Sequence, residues 1–134
     1  VTSTAIGATF YSEVAGDIDR SWKNRFSWLK RGFGIELSGD RQTQKFLTVV
    51  DARNAVVHGA GSLTGQQTRD IRKMIQIRKQ IGDILEVEFI GNQLKAGGHT
   101  RDIAIAICCE FVVHLDMVAV ARFPDLRLGS EDLS

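Results

Sequence analysis

Apolar residues recur at helical spacing along most of this chain. From Phe10 they fall at Val14, Ile18, Trp22, Phe26, Leu29 and Phe33, which predicts one long helix or two joined at Gly16, ending near Gly32-Phe33-Gly34. Ser38-Gly39-Asp40 then reads as a turn leading into an N-cap, followed by a central helix from about Gln42 to His58. Gly59-Ala60-Gly61 is a stop, with glycine available for a left-handed cap. Thr64 and Gln67 have the T-x-x-Q spacing of a capping box. They open a helix from about Gly65 to Ile81, with Ile71, Met74, Ile75, Arg78 and Ile81 along one side.

The period then changes. Leu85 to Phe89 alternates, and Gly91-Asn92 is a favourable two-residue turn, so a short β-hairpin is expected over Leu85–Ile90 and Gln93–Ala96. A helical continuation is the alternative, because Ile81, Leu85 and Phe89 also fit a helix. Thr100 is the expected N-cap of a last long helix, Arg101 to about Arg122, closed by Pro124. Being apolar on nearly every face, it is expected at the centre of a bundle. The reading is thus an all-α bundle of four to five helices with a short hairpin near residues 85–96. It forms a single domain over residues 1–134, with loose ends at 1–9 and 125–134.

Composition narrows the class without naming a function. A length of 134 residues with 43% hydrophobic and 25% charged content suits a soluble globular domain. One proline argues against a linker-rich chain. The net charge of +1 advertises no nucleic-acid field, so any such surface rests on local clusters. Two are visible: Arg20, Lys23, Arg25, Lys30 and Arg31 beside Trp22 and Trp28, and Arg69, Arg72, Lys73, Arg78 and Lys79. Either set is a solvated helix face or a stripe for phosphates. Cys108 and Cys109 are neighbours that cannot bridge on a helix and read as reduced core residues, in keeping with a cytoplasmic setting. The run Ile103 to Ala121 is interrupted by Glu110, His114 and Asp116, which argues against a membrane span. No signal peptide is visible. The chain starts at Val1, compatible with a processed, trimmed or excised domain.

Chemistry concentrates on the central helix. At about 100° per residue, Asp51, Asn54 and His58 form one polar stripe. Phe46, Val49, Val50, Val56, Val57 and Ala60 form the apolar side, and Arg53 falls within it. Its stem can pack there while the guanidinium reaches round to the stripe. Two readings stay open: a buried or interface salt bridge from Arg53, for instance to Asp51, Glu110 or Asp116, together with a His that satisfies a core hydrogen bond, or a functional Arg–His pair. Glu110 and His114 read as a satisfied pair and no metal site is expected. His99 is read as exposed in a glycine-rich loop. No phosphate-binding loop or hydrolase signature is present.

Arg53-Asn54-Ala55-Val56-Val57-His58 resembles the R-x(4–6)-H motif of HEPN domains, in which a polar residue commonly follows the Arg. The order of elements is similar over most of the chain. The resemblance implies a metal-independent endoribonuclease that needs no cofactor and acts as a homodimer with a composite active site. Catalysis would fall to Arg53, Asn54 and His58, with Asp51 supporting. It suggests a toxin or defence effector, controlled by an antitoxin or a fused regulatory domain. The products would be 2′,3′-cyclic phosphate and 5′-hydroxyl ends. The alternative is a non-catalytic HEPN-like module that binds RNA or a nucleotide, or serves for dimerisation.

Overall fold

The structure, a computed structural model, describes residues 5–37 and 39–127, with no account of the side chains of residues 18–20 and 127. The chain is all-α with one short hairpin. Its elements are α1 (Ala5–Arg20), α2 (Trp22–Phe33), α3 (Arg41–His58), α4 (Gly65–Thr68), α5 (Ile71–Leu85), β1 (Glu88–Ile90), β2 (Gln93–Lys95) and α6 (Gly98–Arg122), then a 3₁₀ turn (Pro124–Arg127). The described residues divide into two compact units, 5–37 with 117–127 and 39–116.

Two breaks within the expected helices fall where a side chain captures backbone donors, not where glycine permits. The first helical run breaks at Ser21 rather than Gly16, because the Ser21 hydroxyl accepts from Asn24 N at 3.1 Å. The helix expected over Gly65–Ile81 likewise divides at Asp70, whose carboxylate accepts from Arg72 N at 2.9 Å. Gly82-Asp83 does not stop α5, which continues to Leu85, so the hairpin is shorter than expected. The start expected to be loose is already helical from Ala5.

In the first unit, α1 packs on α2. Asp17 ties them together, accepting from Trp28 Nε1 at 2.6 Å and from Asn24 Nδ2 at 3.1 Å. Gly34, at φ 67°, closes α2 in the left-handed conformation at the expected stop. The aromatic spacing did not translate into depth. No α2 residue is buried, and Phe10 and Phe33 are exposed.

The second unit carries the main core. Ala52 and Ala55 of α3 meet Ile81 and Leu85 of α5, with Leu63, Val87, Leu94 and Ile107. Phe46 and Phe111 stack with centroids 4.1 Å apart, joining α3 to α6. Hairpin register pairs Phe89 with Leu94, and Gly91 takes the positive φ that the turn requires. Glu86, at φ 53°, ends α5, and its carboxylate pairs with His99.

Several positions depart from the expected pattern. On α3 the buried face consists of Thr43, Phe46, Thr48, Ala52 and Ala55, whereas Val56 and Val57 are 50% and 55% exposed. On α5, Ile71 and Ile75 face outward. The α6 helix is not central: only Ile107 and Phe111 are buried, while Ile105, Val112, Val113 and Met117 are exposed. By length and composition alone α6 is apolar enough to cross a membrane. Thr100 lies inside α6, which starts at Gly98 and includes the exposed His99. Cys109 is exposed and Cys108 half-buried; neither forms a disulfide. His114 bonds to Asp40 Oδ2 at 2.8 Å, which takes the carboxylate away from capping α3, and Glu110 is exposed. The residues after Asp125 form a 3₁₀ turn to Arg127, and those beyond lie outside the described residues, as does Ser38.

Candidate functional site

The motif sits at the C-terminal end of α3. Arg53 is exposed, and its Nη1 donates to Asn54 Oδ1 at 3.2 Å. The same nitrogen lies 3.3 Å from His58 Nε2. Arginine can only donate, so in this contact Nε2 presents its lone pair and the imidazole proton sits on Nδ1. The long arginine stem bridges the helical offset between positions 53 and 58 and draws the guanidinium onto the polar stripe. Within the chain itself no salt bridge holds Arg53: among the described residues it forms no ion pair, and Glu110 and Asp116 are exposed.

Beside this pair opens a cleft of ≈ 580 Å³. One wall is the α3 stripe of Asp51, Asn54 and His58; the facing wall comprises Thr64, Gln66, Gln67, Lys73 and Ile77 of the α4–α5 segment. Local chemistry explains how the walls meet. The capping box at Thr64 and Gln67 forms as the sequence predicts, with Gln67 N bonded to Thr64 Oγ1 at 3.2 Å and Thr64 N to Gln67 Oε1 at 2.9 Å. The remaining amide nitrogen of Gln67 reaches across to the Asp51 carbonyl at 2.9 Å. One side chain thus caps α4 and docks it on α3. Sequence reasoning identified the cap but missed the docking, since nothing in T-x-x-Q announces a third bond.

Asp51 is the titratable group most affected. Burial raises its carboxyl pKa, and a side-chain hydrogen bond with Gln67 opposes that rise. An ionised Asp51 is therefore costlier in the fold than in the unfolded chain. The penalty is present above the raised folded pKa and is relieved as pH falls through it. Asp51→Asn should accordingly raise the melting temperature near pH 7, with a smaller gain near pH 4. Thermal melts at the two pH values check this, and a variant less stable at neutral pH would contradict it.

The basic residues divide between the two units. Lys23, Arg25, Lys30 and Arg31 belong to the first; the Arg20 side chain lies outside the described residues. Arg25 stands over Trp22 at 4.4 Å and Arg31 over Trp28 at 4.8 Å, so each indole already carries a guanidinium on one face. Lys30 pairs with Glu36 at 2.6 Å. In the second unit Arg69 and Arg72 are exposed around Asp70, and Lys73 lines the cleft. The structure thus brings together Arg53, Asn54 and His58, and sets Asp51 and Lys73 around the cleft that Asn54 and His58 also line.

No protein-family model, curated protein or solved structure matches this chain.

Proposed function

We propose that the chain is a metal-independent endoribonuclease of the HEPN kind, acting in the cytoplasm as a toxin or defence effector. The observation that carries this reading is an exposed guanidinium within hydrogen-bonding distance of a histidine at the mouth of an open polar cleft. RNA brings its own nucleophile. In the proposed reaction a phosphate draws the Arg53 guanidinium onto its oxygens and frees His58 Nε2. That nitrogen takes the 2′-hydroxyl proton while the 2′-oxygen attacks phosphorus. The bond to the 5′-oxygen breaks, and this oxygen takes a proton from the second copy's imidazole or from water. Arg53 stabilises the charge on the pentacoordinate phosphorus oxygens. The exposed Val56 and Val57 beside Arg53 suit an isologous contact with a second copy, which would complete the cleft.

Purified protein incubated with total RNA and EDTA should cut it to fragments ending in 2′,3′-cyclic phosphate and 5′-hydroxyl groups, and should leave DNA intact. Cleavage that appears only when a divalent metal is added refutes the mechanism. The Arg53 contact also favours a second reading, since it occupies the lone pair that catalysis requires. A non-catalytic module of this fold would bind RNA in a salt-dependent way without turning it over.

A further inference from the structure

The walls of the cleft bear on which nucleotide the site accepts. Its α3 side is a ruler. Asp51 and His58 are seven residues apart on one face, a rise of about 10 Å along the helix. That span is comparable with the reach from the hydrogen-bonding edge of a nucleobase to its own 3′-phosphate. A cleft of ≈ 580 Å³ lies in the range of small-molecule sites. Lys73 and Ile77 on the facing wall offer a cation for phosphate and an apolar surface for a ring.

We propose that the cleft is a guanine subsite, in which the Asp51 carboxylate reads the base whose 3′-phosphate lies at Arg53 and His58. This inference rests on the ribonuclease reading and supplies its substrate preference.

Donor and acceptor matching selects the base. An ionised carboxylate only accepts. Guanine alone presents two adjacent donors on its Watson–Crick edge, N1–H and the 2-amino group, which two carboxylate oxygens accept side by side. Adenine and cytosine each place one amino donor next to a ring-nitrogen acceptor, which would face the second oxygen lone pair to lone pair. Uracil places a single N–H between two carbonyls. The Gln67 amide donates to the Asp51 backbone carbonyl, which fixes that residue's place in the wall, and each carboxylate oxygen has lone pairs with which to accept from the base. Gln66, on the same wall as Gln67, carries an amide that can donate to guanine O6. The partial burial of Asp51 strengthens discrimination, because a mismatched lone pair there is poorly rescued by water.

The chemistry predicts a loss of selectivity. Asn at position 51 offers one donor beside one acceptor, which adenine, cytosine, uracil (N3–H beside a carbonyl) and guanine (N1–H beside O6) can each meet, so the two-oxygen selection for guanine disappears. The test is equilibrium binding of the four nucleoside 3′-monophosphates to the whole chain, with cleavage sites mapped on a mixed-sequence RNA. Guanosine 3′-monophosphate should bind the wild type at least about tenfold more tightly than the other three. Asp51→Asn should lose that preference and bind the four nucleotides with comparable affinity. Lys73→Ala should weaken all four alike and keep their order. Equal affinity for the four, or an unchanged guanine preference in Asp51→Asn, overturns the proposal. The wild-type ranking decides by itself should circular dichroism show the variant unfolded. RNA cleavage without preference for guanosine overturns the subsite and leaves the nuclease reading standing. A guanine preference without RNA cleavage does the reverse.

Discussion

His58→Ala is expected to slow RNA cleavage by roughly 10²–10⁴-fold, the range typical of a lost general acid–base group. Stability should hardly move. His58 is exposed, and surface changes of this kind stay within about 0.5 kcal/mol. Arg53→Ala should fall by a similar factor through lost charge stabilisation. Arg53→Lys should recover little, because an ammonium lacks the two-pronged donor geometry of a guanidinium. The comparison separates a catalytic site from a scaffold, because a scaffold arginine and histidine would register in the melting curve and leave no cleavage to lose. Rates on a fluorogenic RNA, measured beside thermal melts, supply both readouts. An unchanged rate in His58→Ala would remove the imidazole from the mechanism.

The largest effect on stability is expected from Gly59→Ala. Gly59 has φ −108°, which any residue adopts, so conformational freedom is not what holds glycine there. Space is the reason. A Cβ at this position would lie 1.8 Å from the Ser62 carbonyl oxygen and 2.8 Å from that of Ala55. Both are backbone atoms that cannot rotate away. The turn they belong to is tightly bonded: Gly59 N and Gly61 N both donate to the Ala55 carbonyl, at 3.0 and 3.1 Å, and Ser62 N donates to Gly59 O at 2.9 Å. The next residue, Leu63, sits in the core. Opening the turn therefore disturbs the end of α3, the seat of Leu63 and the start of α4 together. The cost should be on the order of 3 kcal/mol. A melting temperature lowered by roughly 10 °C would be the measured sign, and one unchanged to within a degree would refute the packing argument.

The sequence was most informative where local chemistry decides the outcome. The capping box at Thr64, the stop at Gly34, the Gly91 turn and the span of α3 all follow from short-range pairings that a linear pattern displays. It was least informative about burial. The α6 helix reads as central because nearly every face is apolar, yet depth is set by neighbours, and Ile105, Val112, Val113 and Met117 face outward. A glycine after α3 does take the left-handed conformation: Gly61 stands at φ 90°, with Ala60 before it at 52°, while Gly59 is kept for its small size. At the site, helical geometry was enough to align Asp51, Asn54 and His58. The facing wall came from the segment that follows α3 and folds back on it, and its bond from Gln67 to Asp51 spans 16 positions, beyond the reach of any periodicity.

The segment after α3 does more than connect. Leu63 N donates to Asn92 O at 2.9 Å and Leu94 N to Gly61 O at 2.8 Å, with a bridge between Ser62 and Gln93. This stretch lies along β2 as a partial third strand. Strand addition by a foreign peptide is thereby shut out on the β2 flank. Only the outer margin of β1 remains among the described residues, and it is three residues long and begins with a glutamate. So brief and charged a margin gives an incoming strand little to register against, which protects a small mixed fold from fibrillar growth.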